Sequence, residues 1–128
     1  MPVTARWHDA NKTIIVLAYH QKWSLREVET RWREIETMLT TIEHSVALIH
    51  DATRIDYLPS DSPSFIRRKF PTKHPKIELS IIVGANFIVR TFVNLFTRMK
   101  LYPMEMHFCD TLDDALVFIA QQTASSDS

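Results

Sequence analysis

Hydrophobic and polar positions change period several times along this chain, and each change marks a new element. Val3 to Trp7 alternates apolar and polar side chains, the period of a half-buried edge strand. Thr13 to Tyr19 is a β-prone run behind the turn formers Asp9-Ala10-Asn11-Lys12, so the two segments predict an N-terminal hairpin. The period then lengthens: Leu25, Val28, Trp32, Ile35, Leu39 and Ile42 recur at three- and four-residue steps, the single apolar stripe of a helix packed on a sheet. Ser24 and Glu27 form a capping box at its start, and Trp23 and Val28 are spaced as a hydrophobic staple.

Three further strand–helix units follow. Val46 to His50 reads as a buried strand, and Ser62 as N-cap with Pro63 at the first helical position opens a short helix that stops before Pro71. Ile77 to Gly84 is a third buried strand. Asn86 caps a helix from Phe87 to about Lys100, with Ile88, Phe92, Leu95 and Met99 expected on its core stripe. Val89, Val93 and Phe96 widen that stripe beyond what packing on a sheet requires, and they are the expected homodimer or ligand-groove surface. Met104 to Cys109 is a last strand. Thr111 to Asp114 opens a helix to about Gln122, leaving 123–128 as a disordered polar tail. The expectation is one α/β domain over residues 1–122, in the order β-β-α-β-α-β-α-β-α. Its sheet is mixed and mostly parallel, with right-handed crossovers.

Composition narrows the function classes. At 128 residues with zero net charge, the chain has no overall field to favour nucleic acid or an acidic membrane. No apolar run approaches the length of a membrane span, and MPVTARWHDANK lacks a signal-peptide core, so the expected location is cytoplasmic. The lone Cys109 forms no internal disulfide, which suits that compartment. With Gly84 as the single glycine, neither a dinucleotide fingerprint nor a P-loop is present, and turns must come from Asp, Asn, Pro and Ser.

Candidate chemistry gathers after the strand Val46 to His50. Asp51, Thr53 and Asp56 follow its carboxyl end, Ser60 and Ser62 precede the next helix, and Asn86 starts the helix beyond the neighbouring strand. Such a rim of polar groups beside a helix N-terminus is a common binding edge in α/β proteins. Ser62 has a structural role as N-cap and a functional one as phosphate acceptor, with Ser60 competing for the latter. Arg67, Arg68 and Lys69, continued by Lys73, His74 and Lys76, make the chain's one basic patch. It lacks the interleaved aromatics that single-stranded nucleic acid requires. His107 and Cys109 share a strand face with His50 placed nearby, the best metal set on offer, yet without ligand spacing it supports no metal. No nucleophile-elbow pattern backs a Ser-His-Asp triad, so neither catalytic residues nor cofactors are expected.

The succession of elements resembles the STAS domain, the fold of bacterial anti-sigma factor antagonists and of sulfate-transporter cytoplasmic domains. Asp51-Ala52-Thr53 is similar to the family's strand-end motif, Ser60 or Ser62 lies where its phosphorylatable residue falls, and FCDTLDDALVFI looks like its last strand and helix. The resemblance implies a non-enzymatic regulatory domain of bacterial type that acts on a protein partner, with phosphorylation as the switch found in that family. The alternatives are a small-molecule or lipid-binding module of the same fold and a structural homo-oligomer.

Overall fold

A computed structural model describes residues 3–69, 74–100 and 105–126. Lys73 of the basic cluster and Met104 at the start of the last strand lie outside them. The described chain forms β1 (Val3–Trp7), β2 (Ile14–Tyr19), α1 (Leu25–Thr40), β3 (Val46–Asp51), α2 (Ser62–Lys69), β4 (Ile77–Val83), α3 (Phe87–Arg98), β5 (Met106–Cys109) and α4 (Leu112–Ser126). This is the expected single α/β domain in the expected order. At its end α4 runs on into the polar segment read as a tail, which contains no glycine or proline to stop it.

The five strands pair in chain order, β1-β2-β3-β4-β5. β1 runs antiparallel to β2, and every later pairing is parallel. Adjacent parallel strands joined by right-handed crossovers carry their connecting helices on one face of the sheet. Accordingly, the larger core joins Ile15, Leu17, Leu48 and Ile82 of the sheet to Val28, Ile35 and Leu39 of α1, Phe65 of α2, and Val89 and Val93 of α3. On the opposite face, Ile14, Val16, Ile49, Ile81 and Val83 pack with Ala115 of α4. The alternation of these numbers is the period of two expected of strands buried on both faces.

Caps and ties set the helices. Ser24 Oγ accepts from Glu27 N and donates to Glu27 Oε1, and Trp23 and Val28 are both buried in the larger core. At the other end of α1, Lys76 Nζ donates to the carbonyls of Leu39 and Ile42, both at 2.7 Å, placing a cation on the negative end of the helix dipole. Lys76 therefore serves as a C-terminal tie rather than as part of a basic surface. Lys69 bridges to Glu29, which also pairs with Arg33, linking α2 to α1.

Two expectations about α3 are reversed. Val89, Val93 and Phe96 are buried, whereas Ile88, Phe92, Leu95 and Met99 are exposed and Phe87 is 83% exposed. All seven stripe residues share one broad apolar arc, and the sheet covers only the half nearest to it. The strip first assigned to homodimer contact is thus core in the folded chain, and the strip first assigned to the core faces outward.

Turn chemistry also departs from expectation. Lys12, Lys22 and Lys100 hold the left-handed φ values of +57°, +63° and +58° that a glycine-poor chain must assign to ordinary residues. The one glycine sits where a side chain does not fit: Gly84 has φ +69°, and a Cβ there would collide with the Thr53 side chain. Gly84→Ala is expected to cost about 2 kcal/mol or more, from the left-handed backbone together with the clash. Adding Thr53→Ser, which removes the methyl group at the clash, should recover part of that loss in urea denaturation. No recovery in the double variant would show that the backbone conformation alone sets the cost.

Candidate functional site

Asp51 ends β3 and Asn86 precedes α3, and the polar groups around them spend themselves on one another. Asp51 Oδ1 accepts from the backbone N (3.1 Å) and the hydroxyl (2.7 Å) of Thr53, closing a turn directly after β3. Asn86 caps α3 by accepting from Val89 N at 2.9 Å, while its Nδ2 donates to the Ile55 carbonyl at 3.0 Å. Arg90 reaches Asp110 at 3.1 Å, donates to the Ala85 carbonyl and lies over the Phe108 ring at 5.1 Å. Asp56 and Ser60 are exposed.

Ser62 is not the N-cap. The first helical hydrogen bond of α2 runs from Phe65 N to the Asp61 carbonyl, so the helix begins one residue earlier than the capping grammar implied. The Ser62 hydroxyl donates to the Pro59 carbonyl at 2.6 Å, and the residue is only 4% exposed. A kinase does not meet this hydroxyl at the surface; Ser60 is the candidate serine that remains accessible. Arg67 and Arg68 are exposed at the end of α2, where cations suit the helix dipole, and Lys69 is held by Glu29.

The residues weighed for metal binding and set aside lie on opposite faces. His107 and Cys109 point toward α4, with the His107 ring 4.8 Å from that of Phe118. His50 pairs in register with Leu17 and Ile82, on the face covered by α1 to α3. Among the described residues, no cluster of three His, Cys, Asp or Glu side chains could hold a metal. Burial, then Asp114 and Asp110, push the Cys109 thiol up, away from a reactive thiolate.

The most distinctive feature lies beneath the rim. Between the sheet and the three crossover helices is a cavity of about 180 Å³. Leu17, Leu48 and Ile82 form its floor, and Val28 and Trp32 of α1, Phe65 and Ile66 of α2, and Val89, Val93 and Phe96 of α3 form its walls. Ala52, Ile55 and Leu58 reach into it from the β3–α2 connection. No Asp, Glu, Lys or Arg is among the described residues lining it.

A small polar cluster is set into this apolar lining. Tyr19 Oη and His50 Nδ1 are 2.9 Å apart, and their rings stack. Trp23 meets Tyr19 edge-on at 5.1 Å, and Tyr57 donates its hydroxyl to the Trp23 carbonyl. Trp23 is 5% exposed, and its buried Nε1 has no hydrogen-bond partner. The other orphaned atom found, His8 Nδ1, belongs to the N-terminal hairpin and not to the cavity lining. A donor left unpaired inside a protein costs about 1–3 kcal/mol, and this one is covered by packing rather than open to the cavity.

The sequence offered a ligand-binding module only as an alternative and did not assemble this lining, because its residues come from seven elements at wide intervals. Three signals bore on it: a histidine within an apolar strand, aromatics at the start of α1, and the wide apolar arc of α3. The histidine was weighed for metal, Trp23 for the helix start, and the arc of α3 for a homodimer or ligand-groove surface. No family model and no curated protein matches the chain. No helix among the described residues is long and apolar enough to cross a membrane.

Burial pushes His50 down from 6.5 to about 4, so its imidazole is neutral at physiological pH. Above pH 6.5 the folded and unfolded forms are both neutral there, and stability is independent of this group. As pH falls from 6.5 toward 4 the unfolded chain binds the proton first, so folding loses stability, by about 3 kcal/mol over the whole window. The stability difference between wild type and His50→Gln, measured by urea unfolding at intervals across that window, should shift in the variant's favour as the pH drops. A difference that stays flat would contradict a buried neutral His50.

Proposed function

We propose that this domain is a binding module for a small, mainly apolar molecule held between the sheet and helices α1 to α3. The observation that carries the reading is the apolar cavity of about 180 Å³. Protein interiors are otherwise close-packed, with few voids larger than a water molecule. An engineered apolar cavity of about 150 Å³ stays dry and takes up benzene, so this space suits a single ring or a slightly larger molecule. The contact between Tyr19 and His50 gives the lining a polar end for orienting an occupant.

A second reading is favoured by the outer face of α3. Phe87, Ile88, Phe92, Leu95 and Met99 are exposed on one helix that carries no acidic residue. An apolar strip of this kind is self-complementary, as a two-fold contact between copies of the chain requires. Such a homodimer leaves the inner face, and therefore the cavity, intact.

For the binding reading, saturating toluene should raise the thermal midpoint by several degrees, and extraction of freshly purified protein should yield a recurrent small molecule. Val93→Phe, which projects into the space, should abolish the toluene shift without lowering the midpoint of the free protein. A protein that yields no such molecule and does not respond to toluene refutes the proposal. For the second reading, light scattering at tens of micromolar should give twice the 15.0 kDa chain mass. Phe92→Glu should return it to the single-chain value. A wild type already at 15.0 kDa overturns self-association.

A further inference from the structure

We infer that the molecule held in the cavity is an uncharged, mainly apolar compound bearing one hydroxyl group, an alcohol or a phenol, which pairs with Nε2 of His50. This rests on the binding reading and names the class of its ligand. The charge of the lining and the position of His50 lead to it independently.

Charge sets the first limit. A carboxylate, phosphate or ammonium group carried into an apolar space must find an opposite charge or several hydrogen bonds there. Among the described residues lining the cavity there is no Asp, Glu, Lys or Arg. Burial keeps its histidine neutral at physiological pH, so no counter-charge comes from that side either. The ligand is therefore neutral, and the apolar lining selects an apolar body.

His50 sets the second limit. It pairs in register with Leu17 and Ile82, so it stands in the middle of the cavity floor. Strand side chains rise roughly perpendicular to the sheet, and Nε2 is the ring nitrogen farther from the backbone. The nearer one, Nδ1, is taken by the Tyr19 hydroxyl at 2.9 Å. No hydrogen bond reaches Nε2 among the described residues, yet it is not one of the orphaned atoms sealed by packing, which are His8 Nδ1 and Trp23 Nε1. His50 keeps some accessible surface and is a lining residue, so Nε2 opens on the cavity. The serines of the lining, Ser62 and Ser80, are each only 4% exposed and offer less. The contact between Tyr19 and His50 can run in either direction, and Nε2 is a donor in one tautomer and an acceptor in the other. A hydroxyl both donates and accepts, so it pairs with Nε2 in either case, whereas a ketone or an ether meets only one of the two.

The test titrates four probes of nearly equal size into the full chain labelled with nitrogen-15: benzyl alcohol, ethylbenzene, benzoate and benzylammonium, each at pH 7. Water holds the two neutral probes with different strength, so each is compared between wild type and His50→Phe, where that difference cancels. His50→Phe is expected to weaken benzyl alcohol about tenfold, the effect of one lost hydrogen bond, and to leave ethylbenzene unchanged. Both ions should bind at least about tenfold more weakly than benzyl alcohol in wild type. A second readout needs no variant: the Nε2 resonance of His50, assigned from its own backbone, should shift far more with benzyl alcohol than with ethylbenzene. If His50→Phe affects the two neutral probes equally, or the Nε2 resonance does not distinguish them, the hydroxyl assignment is wrong while the cavity still binds. If benzoate or benzylammonium binds as tightly as benzyl alcohol, the neutral-ligand assignment is wrong. If none of the four binds, this inference falls together with the binding reading beneath it.

Discussion

The handedness of the connections between adjacent parallel strands is the constraint on which the rest of this fold depends. Because β2 to β5 lie side by side in chain order, three right-handed crossovers place α1, α2 and α3 on one face. Only α4, which follows the last strand, is available for the other. Three helices then cover a face of five twisted strands, one of them the eight-residue α2. Where the short helix and its long lead-in fail to fill the layer between sheet and helices, space remains above Leu48, His50 and Ile82. The cavity is thus a consequence of topology and element length as much as of side-chain choice.

The distribution of satisfied and unsatisfied polar groups separates scaffold from site. At the rim every named group with a structural part has a partner: Asp51 with Thr53, Asn86 with Val89 and Ile55, Arg90 with Asp110. Those bonds hold the loops after β3 and β4 together, and Gly84 lets the first of them approach the second closely. One layer below, Trp23 Nε1 is unpaired beside a neutral histidine. Polar groups that have met one another have little left for a ligand, which leaves the space under the rim as the better candidate site.

Much of the fold was legible because it depends on period and punctuation. Ser24 with Glu27 marked α1, Asn86 marked α3, and runs such as Val46 to Ile49 marked buried strands, each a local pattern with a local cause. What failed depended on three-dimensional neighbours. On α3, two adjacent stripes were equally apolar, and only the position of the sheet determined that Val89, Val93 and Phe96 go inward. Ser62 fitted the preferences of an N-cap, but the Pro59 carbonyl lay within reach of its hydroxyl and Asp61 took the cap position. His50 and His107 have similar strand settings, and a single step in strand register assigns them to opposite faces.

The helix α3 connects the two readings of function through its geometry. Its apolar arc is too wide for one partner: the inner part walls the cavity, and the outer part meets solvent. Exposure of that outer part carries a solubility liability that a helix serving only as a lid over the sheet has no need to bear. Covering it with a second copy leaves the cavity lining unchanged, since Val89, Val93 and Phe96 face away from the contact. If both proposals hold, binding and association act on one element from opposite sides, and each changes the free energy of the other.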